Sequence, residues 1–181
     1  TDADKACETA LRDFLTKNLP EDGIVGEEFG ASNKDKDRYW VIDPIDGTRN
    51  FMRGMPIWAT LIALVEKGEV TVGVVSAPAL NRTWFASKNG GAFTTFNYCT
   101  EQILDDATLV CECDCDSTPR KIKVSEISTL KDSSLAYSDF KNWDKRVGNF
   151  QELLASAWRT RGYGDFWSHM LVAEGVVDAA L

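Results

Sequence analysis

Between residues 58 and 95 the chain leaves itself almost no topological choice. Residues 58–65 and 69–76 are apolar, strand-like runs flanking Lys67-Gly68, and 82–87 and 91–95 are two more, turning through Asn89-Gly90. Connections this short make consecutive strands antiparallel neighbours, so the stretch predicts a meander. Ahead of it, residues 2–18 carry Ala3, Ala6, Cys7, Ala10, Leu11, Phe14 and Leu15 at the three-four spacing of one helical stripe. Thr1 or Asp2 can cap that helix, and Asn18 and Pro20 stop it. A helix laid on an antiparallel sheet is an α+β arrangement.

The rest of the chain fills in around this frame. Residues 23–28 read as a short strand running into two carboxylates, 31–38 as a surface loop, and 39–43 as a buried strand broken by Pro44. Beyond Pro119, residues 121–124 resume strand-like alternation, 144–158 and 166–174 read as helices, and 176–181 as a strand. Helix and strand therefore alternate in the last third. We expect an N-terminal α+β part over 1–133 and the start of an α/β part over 134–181, incomplete at Leu181.

Composition narrows the function classes. The 181 residues carry 20 Lys and Arg against 28 Asp and Glu, for a net charge of -8. That field disfavours nucleic acid and anionic lipid as partners. No apolar run approaches the ~18 residues that span a bilayer, so no membrane partner is expected. A single His excludes multi-His metal sites; His169, mid-helix, reads as a packing or surface residue. Of 5 cysteines, Cys99, Cys111, Cys113 and Cys115 crowd one acidic segment, and the odd total argues for reduced thiols in the cytoplasm. The one-residue spacing of the last three is too tight for a usual zinc site; an inserted surface segment near 97–118 is the expectation.

The chemistry concentrates in Gly26-Glu27-Glu28 and in WVIDPIDGTRNF, Trp40 to Phe51. An apolar strand delivers Asp43 to its end, Pro44 bends the chain, and Asp46 follows at a glycine turn. The two carboxylates and the Ile45 carbonyl can converge on one point, an all-oxygen set suited to Mg²⁺ or Mn²⁺ and not to Zn²⁺. Gly47 and Thr48 add backbone N–H groups for a phosphate, and Thr48 a hydroxyl for a water. Metal, phosphate and water within six residues suffice for metal-assisted phosphate hydrolysis. An Asp-Pro-x-Asp-Gly string is equally a good turn, and that alternative stays open on the residues alone.

The same residues resemble the signature of the inositol monophosphatase-like family of Mg²⁺-dependent phosphatases. Thr1-Asp2-Ala3-Asp4 is similar to the Thr-x-x-Asp opening the family's first conserved helix, and Gly164 to Asp178 resembles its later Gly-containing helix and Gly-x-x-Asp strand. The resemblance implies a layered α-β-α-β-α sandwich of the sugar-phosphatase type. It implies Glu27, Asp43, the Ile45 carbonyl and Asp46 as ligands of two or three Mg²⁺ ions, with Mn²⁺ a possible substitute. Asp46, Gly47 and Thr48 would contact phosphate; Asp4, Thr48 and Glu27 would act on the attacking water, with no covalent intermediate. A last metal ligand would lie beyond Leu181, and the family is commonly dimeric, so a homodimer is expected.

Within the family, Gly164-Asp165-Phe166-Trp167-Ser168 looks most like the histidinol-phosphate phosphatase branch. Asp165 would meet a cationic amine, and Phe166 or Trp167 an imidazole or ammonium. Against this, Asp165 could simply cap a helix and Trp167 lie in the core. The expected activity is thus hydrolysis of a small phosphomonoester, histidinol phosphate first. An inositol-phosphate phosphatase and a catalytically crippled metal- or phosphate-binding relative are the alternatives.

Overall fold

The computed structural model describes residues 1–33, 36–96, 102–103, 109–110, 118–139 and 146–181. Helix α1 (Asp2–Asn18) starts at Thr1, whose hydroxyl accepts the Asp4 N–H. Strands β1 (Gly23–Gly26), β2 (Gly30–Ser32) and β3 (Arg38–Asp46) follow, then the short helix α2 (Thr48–Met52). The meander is β4 (Ala59–Glu66), β5 (Glu69–Ala77), β6 (Arg82–Ser87) and β7 (Gly91–Phe96). A small antiparallel pair, β8 (Gln102–Ile103) with β9 (Leu109–Val110), precedes β10 (Arg120–Ile122). The last part holds β11 (Ser134–Ala136), α3 (Val147–Ser156), β12 (Arg159–Arg161), α4 (Asp165–Ala173) and β13 (Ala179–Ala180).

The main sheet runs β10-β7-β6-β5-β4-β3-β1-β2 and is antiparallel except where β1 lies parallel to β3. A second, parallel sheet runs β12-β11-β13. Helix α4 joins the two. Its Phe166, 2% exposed, packs with Ala59, Ala77, Trp84 and Ile122 over the main sheet, meeting Trp84 edge-on at 6.1 Å. Its Leu171 packs with Ala136 and Val177 of the smaller sheet region. Just past α4, the buried Glu174 pairs with Arg82 at 2.6 Å and Arg120 at 3.3 Å and accepts the Trp84 indole N–H. A carboxylate out of water is tolerable only when so paired.

The meander and the mixed α+β layering match expectation, and three local expectations change. In α1, Ala6, Ala10 and Phe14 face solvent, while Asp4 and Glu8 are buried beside Leu15. The inward face of this helix meets a polar loop as well as a dry core, so an apolar stripe cannot locate it. Pro44 does not end its strand: β3 continues through it, because the pairing with β4 shifts register between Asp43 and Asp46, where a missing N–H costs nothing. Residues 30–32, on the edge of the expected loop 31–38, pair as β2. Most of 97–118, with Cys99, Cys111, Cys113 and Cys115, and the start of the helix expected from 144, lie outside the described residues. Among the described residues no helix is long and apolar enough to cross a membrane.

Candidate active site

The site begins with a register. In the parallel β1–β3 pair, Gly26 stands opposite Ile42, so the next residues, Glu27 and Asp43, leave neighbouring strands side by side. The Glu27 N–H donates to the Ile42 carbonyl at 3.2 Å and extends the ladder by one step. The irregularity in β3 then brings the chain to Asp46 and to Gly47, which sits at φ 82°, ψ 34°. This left-handed turn favours glycine, and the close approach requires it: a Cβ would lie 2.9 Å from the Ile57 carbonyl oxygen.

Helix α2 starts at Thr48, whose hydroxyl donates to the Ile45 carbonyl at 2.9 Å and stands 3.5 Å from Asp4 Oδ1. Asp4, 1% exposed, thus reaches the site from behind, through Thr48. On the opposite side, Asp46 Oδ2 accepts the Phe166 backbone N–H across 120 residues of sequence. The Asn50 side-chain N–H₂ donates to the Ile57 carbonyl and to Asp165 Oδ2, both at 2.9 Å. A cavity of about 560 Å³ opens between these groups, lined by Glu27, Asp43, Ile45, Asp46, Gly47 and Thr48 on one side and Tyr163, Gly164 and Asp165 on the other. A separate cavity of about 390 Å³ under α4, among Val75, Trp84, Phe93 and Met170, is apolar apart from Asp43 and His169 at its margin.

The charges strain against one another. Burial raises the Asp43 carboxyl to about 7, with the Glu27 and Asp46 charges and a Glu27 hydrogen bond acting in the same direction. Burial also raises Asp46, helped by Asp165 and Glu27 and opposed by the Phe166 N–H and His169. Asp43 Oδ1 is buried with no hydrogen-bond partner. Among the described residues no three His, Cys, Asp or Glu groups stand as a finished metal cluster, and one Asp46 oxygen is taken by the Phe166 N–H. The donor set nevertheless fits a hard divalent cation: it is all oxygen, crowded with negative charge, and holds one orphaned carboxylate oxygen.

Of the residues expected to act together, Glu27, Asp43, Ile45, Asp46, Gly47, Thr48 and Asp165 share the cavity wall, and Asp4 touches it through Thr48. The aromatic role expected of Phe166 is corrected: its ring fills the core beside Trp84, and its N–H alone reaches the site. Trp167 packs on Tyr163 at 5.5 Å and on both apolar clusters, leaving Tyr163 to line the cavity. Sequence reasoning missed Tyr163, Arg49 and Asn50. Asn50 stood inside the motif already singled out, but its bond to Asp165 joins residues 115 apart, which no local pattern encodes.

The sequence profile of the inositol monophosphatase family matches residues 1–181. The histidinol-phosphatase of Mycobacterium tuberculosis is 44% identical over 99% of this chain and 63% of its own length. That of Streptomyces coelicolor is 45% identical over 98% and 62%. The solved inositol monophosphatase of Anabaena (Nostoc) superposes with a TM-score of 0.77 at 26% identity, over 97% of this chain and 63% of that one. The chain therefore spans a little under two thirds of the relatives it matches. Carboxylates side by side on neighbouring strands, a glycine turn into a short helix, and a match from the first residue to the last agree: the chain belongs to the inositol monophosphatase family.

Proposed function

We propose that the protein hydrolyses a small phosphomonoester with bound divalent metal, and that its substrate is L-histidinol phosphate, released as L-histidinol and phosphate. One observation carries most of this. Glu27 and Asp43 emerge side by side from parallel strands, with Asp46 and the Ile45 carbonyl on the same wall and Asp43 Oδ1 buried without a partner. These four groups would hold two or three Mg²⁺ ions, with Mn²⁺ as a substitute. When bound, such ions lower the pKa of a coordinated water and neutralise charge on the leaving oxygen.

The chain's own residues do the rest. The Thr48 hydroxyl, tied to Ile45 and facing Asp4, orients the attacking water. The Gly47 and Thr48 N–H groups, at the left-handed turn into α2, donate to phosphate oxygens. Asp165 lies where a substrate ammonium would pair with it, and Tyr163 supplies the aromatic wall once expected of Phe166 and Trp167. Relatives 44–45% identical that are named histidinol-phosphatases support the same substrate. Likeness to a solved inositol monophosphatase favours a second reading, an inositol-phosphate phosphatase. A neutral polyol, however, gains no charge pairing from Asp165. A homodimer in the cytoplasm is part of the proposal, and size-exclusion chromatography with light scattering checks the dimer.

Phosphate release by the full-length protein from histidinol phosphate and from inositol 1-phosphate, with Mg²⁺ and after chelation, tests the assignment. Mg²⁺-dependent release from histidinol phosphate is the expected result. Release from the inositol ester alone would establish the second reading, and release from neither would leave a crippled binding relative.

A further inference from the structure

We propose that Glu8, held by Arg12, is a positioning residue for the metal site: it fixes the loop after β1 and so aims Glu27. The proposal depends on Glu27 being a metal ligand. Glu8 lies in the middle of α1, is 0% exposed, and was invisible to an apolar-stripe reading of that helix. Its carboxylate accepts the Glu28 N–H at 2.7 Å and the Phe29 N–H at 3.3 Å. The Arg12 guanidinium meets it at 2.7 Å and also donates to the Gly30 carbonyl and, at 3.3 Å, to Ser32 Oγ.

Among the described residues, no side chain of residues 27–30 enters a buried apolar cluster. Glu27 and Phe29 are both exposed, and Phe29 leaves 51% of its surface in water. Residue 27 is therefore gripped on one side by its N–H bond to Ile42 and on the other by the bonds that Glu8 accepts from the next two residues. Gly26 is shaped to this clamp, because a Cβ there would lie 1.9 Å from Glu8 Oε1. A buried carboxylate is costly unless fully partnered, and every partner of this one sits on its own helix or on the segment carrying Glu27. Groups that orient a metal's ligands typically set its affinity by tenfold or more.

The test uses the full-length protein and reads Mn²⁺ binding directly, by the electron-spin resonance signal of free Mn²⁺, alongside thermal unfolding and the Mg²⁺ dependence of turnover. Glu8→Gln keeps the size and one acceptor. It should weaken Mn²⁺ binding about tenfold and raise the Mg²⁺ needed for half-maximal rate by a like factor, with kcat at saturating metal within about twofold. Arg12→Lys keeps the ion pair but loses the fork to Gly30 and Ser32, and should show the same effect at about a third of the size. Leu15→Ala, in the core of the same helix, should lower the melting temperature and leave Mn²⁺ affinity unchanged. Wild-type Mn²⁺ affinity in Glu8→Gln overturns the proposal, as does equal weakening in Leu15→Ala. Should Glu8→Gln fail to fold, Arg12→Lys with wild-type affinity overturns it instead. No Mn²⁺ binding by the unsubstituted protein would defeat the metal assignment of Glu27 first, and this inference with it.

Discussion

The two walls of the cavity are held by different physics. On one, Glu27, Asp43 and Asp46 are delivered by adjacent strands of a single sheet, and backbone register sets most of their spacing. On the other, Asp165 and its neighbours arrive from the far end of the chain and are tied down by side-chain bonds: Asn50 to Asp165, and Asp46 to the Phe166 N–H. A ladder must break over several residues to move one of them, whereas a single amide can be traded. On the proposed function, the groups that must converge within tenths of an ångström would sit on the stiffer support, and those that choose among substrates on the adjustable one.

Substitutions can break that contrast in descending order of effect. Asp43→Asn should abolish phosphate release, by about 10³-fold or more, while the melting temperature holds or rises because a repelled carboxylate is gone; normal turnover in this variant would refute the metal wall. Phe166→Ala empties a buried ring site joining α4 to the main sheet and should cost about 3–5 kcal/mol in urea unfolding. A loss under 1 kcal/mol would mean the far wall is not anchored through the core. Asn50→Ala should spare metal binding yet cut kcat/KM for histidinol phosphate about tenfold, and Asp165→Ala should cut it further. Equal losses for cationic and neutral esters in both variants would assign the pair to holding α4 against α2.

The smallest effect concerns pH. Asp43 titrates near 7 in the folded protein against an ordinary 3.8, so between those values the folded state holds a proton that the unfolded chain releases. Stability of the metal-free protein should therefore be greatest at the acid end of that window and decline as pH rises through it. Asp43→Asn should flatten the decline, which urea midpoints at several pH values would register.

Much of this was legible because the informative patterns are local. Hairpin turns at Lys67-Gly68 and Asn89-Gly90 specify the meander, and the string around Pro44 carries Asp43 and Asp46 of one cavity wall. What escaped were contacts that a one-dimensional pattern does not carry. Glu8 lies off the apolar stripe of its helix, and nothing nearby in sequence shows that the loop after β1 folds over it. Phe166 and Trp167 looked like a recognition surface because they adjoin Asp165, yet successive helical residues point about 100° apart, and only Asp165 faces the cavity. Pro44 looked like a strand end because proline removes a donor; the register shift beside it was the missing fact.

The placement of residues 97–119 bears on how this molecule tolerates change. They join neighbouring strands, β7 and β10, at the sheet edge opposite β1 and β2. Closing a loop grows harder only with the logarithm of its length, by about 0.6 kcal/mol for each doubling. The strands joined there are not those that carry Glu27, Asp43 and Asp46. One residue added within β3 ahead of Asp43 would instead turn that carboxylate to the other face of its strand. A tag, a partner-binding peptide or a chromophore grafted into 97–119 should leave turnover intact, which makes this connection an attachment point for following the protein at work.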